Sequence, residues 1–239
     1  MNFGVGSGGS NWGGGALWAL LKHTAERLGV VLRESDEERG VVAKYVDAGS
    51  GRRVTVYPPD ERRRAFRVNL ASDLPSNFPR LAGGWTADPA EVVRAVAAWT
   101  SGAGLEETKV QAPCIQFRPW ALVHEREPFS GAELEWHLQL DRIHFPPDDR
   151  YPRTHALLAA AYAQPVLRRL TPATSMMNVW FSTSVRANWK THVGHILWMH
   201  EKGVYGVHDG SELIARFDTP EEAVALVVAT LPEGIGPAR

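Results

Sequence analysis

A single cysteine, Cys114, stands among the 239 residues. An internal disulfide is therefore excluded, and so is any cysteine-built zinc module. Net charge is almost as scarce. Lys and Arg number 26 against 27 Asp and Glu, giving a formal charge of −1. The broad positive field of a nonspecific nucleic-acid binder is missing. No long apolar run occurs either, and even 223–231 falls far short of the ~20 residues a membrane-spanning helix needs. The start, MNFGVGSGGSNWGGG, has no basic region followed by an apolar one, so it does not read as a secretory signal. A cytoplasmic protein is the expectation. No Gly-x-Ser-x-Gly elbow, phosphate loop or kinase signature occurs, which removes support from the main nucleophile and nucleotide classes. The run Gly4-Val5-Gly6 looks like a dinucleotide loop but lacks the strand that must precede one. Residues 1–15 read as a flexible glycine-rich leader.

What is present suits an ordinary globular protein, with 44% hydrophobic and 22% charged residues. Leu17, Leu20, Leu21 and Leu28 share one helical face, and Gly29 follows as a stop. Strand patterns come next at 30–34, 41–48, 53–58 and 65–71, separated by turn-rich stretches. In the last two, Val54, Val56, Phe66, Val68 and Leu70 alternate with Arg53, Thr55, Arg67 and Asn69. The pattern predicts an antiparallel meander with one wet face. A helix then opens at Asp88-Pro89-Ala90-Glu91, where Asp88 suits the cap, Pro89 the first turn and Glu91 a capping box.

The same grammar returns. A helical pattern at 154–170 carries Pro165 as a start or break. Strand patterns follow at 177–185, 194–200, 203–208 and 212–217, with Asp209-Gly210 as a hairpin signal. A second capped helix opens at Thr219-Pro220-Glu221-Glu222, and its cap lies 131 residues after Asp88. At that offset Pro89, Glu91, Val93 and Val96 meet Pro220, Glu222, Val224 and Val227. The fold expectation is α+β, in two similar lobes, each a four-stranded antiparallel meander flanked by helices, as after an internal duplication. Their bounds are 16–104 and 154–239, with 105–153 as a connector containing a strand (114–117) and a helix (131–140).

Three linked segments carry a family likeness: GGWTADPAEVVRAVAAWTSGAGLEE, then ALVHERE with ELEWHLQL, and DTPEEAVALVVATLPEGIGPA. With LLAAAYAQPVLRRLTPATS they resemble an actinobacterial family of unknown function, often labelled natural product biosynthesis protein. The likeness runs from about Ala16 onward and implies a two-part fold and a biosynthetic gene-cluster setting. It brings no catalytic residues.

Several residue groups carry chemistry. His192, His195, His200 and His208 lie close in sequence, but strand alternation sends them to different faces, so no metal site is expected. Glu133, His137 and Asp141 share a helix face, which can orient His137 as a general base or form a solvated ion-paired surface. His124 is the second base candidate. Cys114, in an apolar strand-like setting, reads as a small buried hydrophobe rather than a nucleophile. Trp120, Trp136, Trp180 and Trp198 are the residues assigned to a ligand cleft between the lobes. Arg53, Arg62, Arg63, Arg64 and Arg67, with Arg52 nearby, concentrate positive charge on the first meander, with Tyr57 and Phe66 as the nearby aromatics. That face suits an anion or an acidic protein partner, whereas nucleic acid is not expected.

Together these features predict a noncatalytic accessory or partner-binding protein of a bacterial biosynthetic or effector and immunity locus. The alternative is a tailoring enzyme acting on a small molecule or peptide in the cleft, with His137 or His124 as base. No cofactor and no membrane association are expected.

Overall fold

The computed structural model describes residues 15–32, 41–47, 49–59, 63–72, 80–142, 152–175, 178–186, 190–199 and 203–239. They fall into two compact units that divide between Glu127 and Pro128. Each unit is α+β and carries one five-stranded antiparallel sheet.

The first unit begins with helix α1 (Ala16–Leu28), which buries Leu17, Trp18, Leu21 and Ala25. Gly29 ends it at φ 65, a left-handed conformation in which its N–H reaches back to the last turn. Strands β1 (Ala43–Asp47), β2 (Arg52–Tyr57), β3 (Phe66–Ala71) and β4 (Ala82–Thr86) then pair in sequence order. Short β5 (Gln116–Phe117) adds to β4 through Ala82 and Gly83. Helix α2 (Pro89–Thr100) lies on the inner face, where Val54, Val56, Phe66, Val68 and Leu70 are buried with Val92, Val93 and Val96. Each such side chain contributes about 1.5–3 kcal/mol on burial. Asp88 caps α2 by accepting from the Ala90 N–H at 2.8 Å. Helices α3 (Leu105–Gln111) and α4 (Pro119–Arg126) complete the unit.

Gly84 fixes how β4 meets the turn before β5. A Cβ there would stand 2.0 Å from the Cys114 carbonyl oxygen, so only glycine allows the approach. The Glu91 carboxylate holds the same turn, accepting from the Cys114 N–H at 2.6 Å and the Thr86 hydroxyl at 2.5 Å.

In the second unit α5 (Gly131–Arg142), α6 (Pro152–Tyr162) and α7 (Pro165–Arg168) precede the sheet. Pro165 is the first residue of α7 after Gln164, so it divides the expected helix. Strands β6 (Thr171–Ser175), β7 (Asn178–Ser182), β8 (His192–Met199), β9 (Tyr205–Asp209) and β10 (Glu212–Phe217) form the meander. Helix α8 (Pro220–Ala229) closes it with Thr219 as cap, accepting from the Glu222 N–H at 3.3 Å. The core joins Trp136, Leu157, Leu158, Val179, Phe181, Leu197, Val207, Val224 and Val227. Two residues turn the β9–β10 hairpin, with Gly210 at φ 56 and Asp209 paired to Glu212.

Each meander thus has five strands where four were expected. Residues 30–32 form no strand, and 33 and 34 lie outside the described residues. Strands β4 and β6 carry no clear alternation and went unread. Residues 105–127 fall in the first unit and those from 128 in the second.

Candidate functional site

The outer face of the first sheet is built from the residues that alternate with its core. Across neighbouring strands, Tyr57 pairs with Arg67, and Arg67 with Trp85. One row along, Lys44 pairs with Thr55, Thr55 with Asn69, Asn69 with Gly83 and Gly83 with Gln116. A third row holds Val46, Arg53 and Ala71. No carboxylate stands in these rows.

In the first row the side chains stack. The Arg67 guanidinium carbon lies 3.7 Å from the Tyr57 ring centroid and 5.8 Å from that of Trp85. Arg63 sits over the same Trp85 ring at 4.3 Å. Stacking holds a guanidinium flat while its in-plane N–H groups keep their geometry for a carboxylate or phosphate. Arg63 is exposed and Arg67 half-buried. Arg64, also exposed, has φ 50, a left-handed conformation uncommon for a side chain of its size, in the turn that leads into β3. Arg67 Nε and Asn69 Oδ1 are buried with no hydrogen-bond partner among the described residues.

The other arginines divide. Arg53 donates to the Ser72 carbonyl at 3.3 Å on the outer face. Arg52 belongs to the scaffold, since it donates to the Ala103 carbonyl and stacks 4.4 Å from the Trp99 ring. Arg62 lies outside the described residues. Phe66, expected beside the arginines, is 4% exposed and faces the core. Trp85 takes that role instead, and it was missed because β4 was.

The histidine candidates are placed differently. His124, on α4, is 4% exposed. Its neighbour Glu125 accepts from the Leu105 N–H at 3.0 Å, capping α3. His137 is half-buried on α5 and stacks on Phe129 at 4.8 Å. Burial lowers its pKa below the ordinary value, while Glu133 and Asp141 pull the other way. Cys114 is pushed up to about 12, by burial first and then by the Glu91 carboxylate, so the thiol is not a nucleophile at neutral pH. Glu91 itself is held below the usual carboxylate range, since hydrogen bonds from Thr86 and Cys114 outweigh its partial burial.

Trp136 lies in the core of the second unit. It is 1% exposed inside the second core, with Nε1 donating to the Leu170 carbonyl at 3.0 Å. Trp120, on α4, is half-buried. Trp180 and Trp198 alternate with core residues and so face outward on the second sheet, where Trp198 is 38% exposed and lies 4.8 Å from the His208 ring. Among the described residues no group of three or more His, Cys, Asp and Glu gathers as a metal site. His200 lies outside them, as does Trp189. No described helix is long and apolar enough to cross a membrane.

Residues 132–239 match the model of DUF6193, a family of unknown function. The match covers nearly all of the second unit and none of the arginine face. No curated protein and no solved structure matches the chain.

Proposed function

We propose that this chain is a noncatalytic accessory protein that binds an acidic protein partner through the outer face of its first sheet. The stack of Tyr57, Arg67, Trp85 and Arg63 is the observation that carries the reading. Random surface arginines are solvated and mobile, whereas these guanidiniums are pre-set by aromatic rings on adjacent strands. Ordering them before binding lowers the entropy lost on association. The three rows carry Lys44, Arg53 and Arg67 and no carboxylate of their own, which suits them to an acidic partner. The resemblance carried by the segments quoted above supports a bacterial natural-product locus as the setting.

Gentle purification of the chain from its host, followed by intact-mass measurement over a salt series, tests this. A stoichiometric protein companion that dissociates as salt rises is expected. A chain carrying no companion at low salt contradicts it.

His137 supports a second reading, a tailoring enzyme with a histidine base. Its lowered pKa leaves a neutral imidazole available near pH 7. A retained small molecule, lost in His137→Ala with the fold intact, is the result that would favour it.

A further inference from the structure

We infer that the fork where β6 and β7 part is a main-chain binding slot for an extended peptide, held shut in this chain by its own residues 235–239. The inference concerns the second unit and does not depend on the arginine face.

The ladder between β6 and β7 ends at the pair Thr171 and Ser182. Continued in the same register, Arg169 would face Ser184. Instead, the segment that follows α8 enters between the two arms. The Ala238 N–H donates to the Arg169 carbonyl at 2.8 Å on one arm. On the other, the Arg239 N–H donates to the Thr183 carbonyl at 3.0 Å, and the Arg239 carbonyl accepts from the Val185 N–H at 3.1 Å. Bonds from one residue to the two that flank Ser184 are those of a parallel β-bridge. The main-chain groups of Ser184 then point the other way, and the Ser182 hydroxyl meets both. It accepts from the Ser184 N–H at 3.0 Å and donates to the Ser184 carbonyl at 3.1 Å. Ser182, fully buried at the base of the fork, thus keeps the Thr183 carbonyl and the Val185 N–H turned towards the incoming segment.

The grip is on the main chain, since the Arg239 side chain is exposed. Sheets accept an added strand in the same way, by main-chain hydrogen bonds. The present occupant is lightly held. Of residues 232–237 only Ile235 is half-buried, against the core of the unit, and the others are exposed. Gly234, at φ 72, and the prolines at 232 and 237 keep this stretch out of any helix or strand. The fork, by contrast, needs an occupant. Val185 is 5% exposed, and a buried N–H left without an acceptor is penalised. A light latch over a slot that must be filled suits exchange with a peptide of the same form: a small residue in the place of Ala238, then one whose main chain can bridge Thr183 and Val185.

The experiment uses the full chain and the peptide Pro-Glu-Gly-Ile-Gly-Pro-Ala-Arg, which repeats 232–239, read by hydrogen exchange at the Val185 amide. Ile235→Asp, checked for folding by thermal melting, is expected to speed that exchange about tenfold or more. Peptide at about 1 mM, comparable with the effective concentration of a tethered segment, is expected to restore protection. The same peptide with an N-methylated alanine lacks the N–H for Arg169 and is expected to fail. Ala238→Pro removes that N–H within the chain and is the second route if Ile235→Asp does not fold. Unchanged Val185 exchange in the folded variant overturns the latch. Fast exchange that persists with peptide, or equal protection by the N-methylated peptide, overturns the slot.

Discussion

The two units share a plan and differ on the outer faces of their sheets. In both, a helix precedes an antiparallel meander and a capped helix follows it, so α1, β1 to β4 and α2 correspond to α6, β7 to β10 and α8. The fifth strand is added at opposite edges, β5 beside β4 in one sheet and β6 beside β7 in the other. Along the equivalent outer row, Tyr57, Arg67 and Trp85 in the first unit become Trp198, Gly206 and Arg216 in the second. The central arginine is replaced by glycine, so the second row has no stacked guanidinium between two rings. One scaffold presents an ordered cationic ladder, and its counterpart presents an exposed tryptophan beside a separate arginine. The fold does not dictate the surface; a few outward positions do.

Equivalent positions offer controlled ways to break the comparison. At an offset of 131 residues, Gly84 corresponds to Ala215. Gly84→Ala should destabilise the first unit by about 3 kcal/mol or more, because its Cβ would meet backbone rather than a side chain that can move. Ala215→Gly should cost only about 1 kcal/mol, and urea unfolding with hydrogen exchange would separate the two.

The paired glutamates come next. Glu91 lost its expected capping role to the Cys114 turn, while Glu222 keeps its own, accepting from the Thr219 hydroxyl at 2.8 Å. Glu91→Ala should cost about 1–3 kcal/mol by leaving the Cys114 N–H and Thr86 hydroxyl without their acceptor. Glu222→Ala should cost no more than about 1 kcal/mol, as an exposed cap does. The pH dependence sharpens this. Glu91 has a lowered folded pKa, so its contribution is full above the unfolded carboxylate pKa and fades as pH falls through the lower folded value. Acid titration of Glu91→Ala beside the parent should show the difference between them shrinking below about pH 4.5.

The smallest effect belongs to His137. Its folded pKa is lowered, so stability is full above its ordinary value near 6.5 and declines as pH falls below it. His137→Gln should flatten that decline in the second unit and leave partner binding unchanged, a pair of readouts from melting and co-purification.

Much of this comparison was legible in the residues. Asp88-Pro89 and Thr219-Pro220 announced both capped helices, because side-chain caps and proline have local causes. Strands β2 and β3 alternated cleanly enough to put Arg53 and Arg67 on the wet face. Strand β4 was not legible, since Gly83 and Gly84 erase both propensity and alternation, and their reason is a backbone approach from a turn some 30 residues later. With β4 went Trp85, the ring that organises the arginines. Strand β6 hid behind Pro172, which an edge strand tolerates because one of its sides needs no N–H donors. The burial of Trp136 beside Glu135 and Gln139 was equally hidden, for α5 buries three successive residues at its centre and so has no narrow apolar stripe.

The central claim is that the first unit's stacked arginines, and not charge in general, hold a protein partner. Native mass spectrometry of the co-purified complex, comparing Arg63→Glu with Arg67→Glu in one chain against Arg216→Glu in another, tests it most directly. The account predicts that the double variant loses the companion while Arg216→Glu retains it at the parent stoichiometry. A companion held equally by both variants would contradict it.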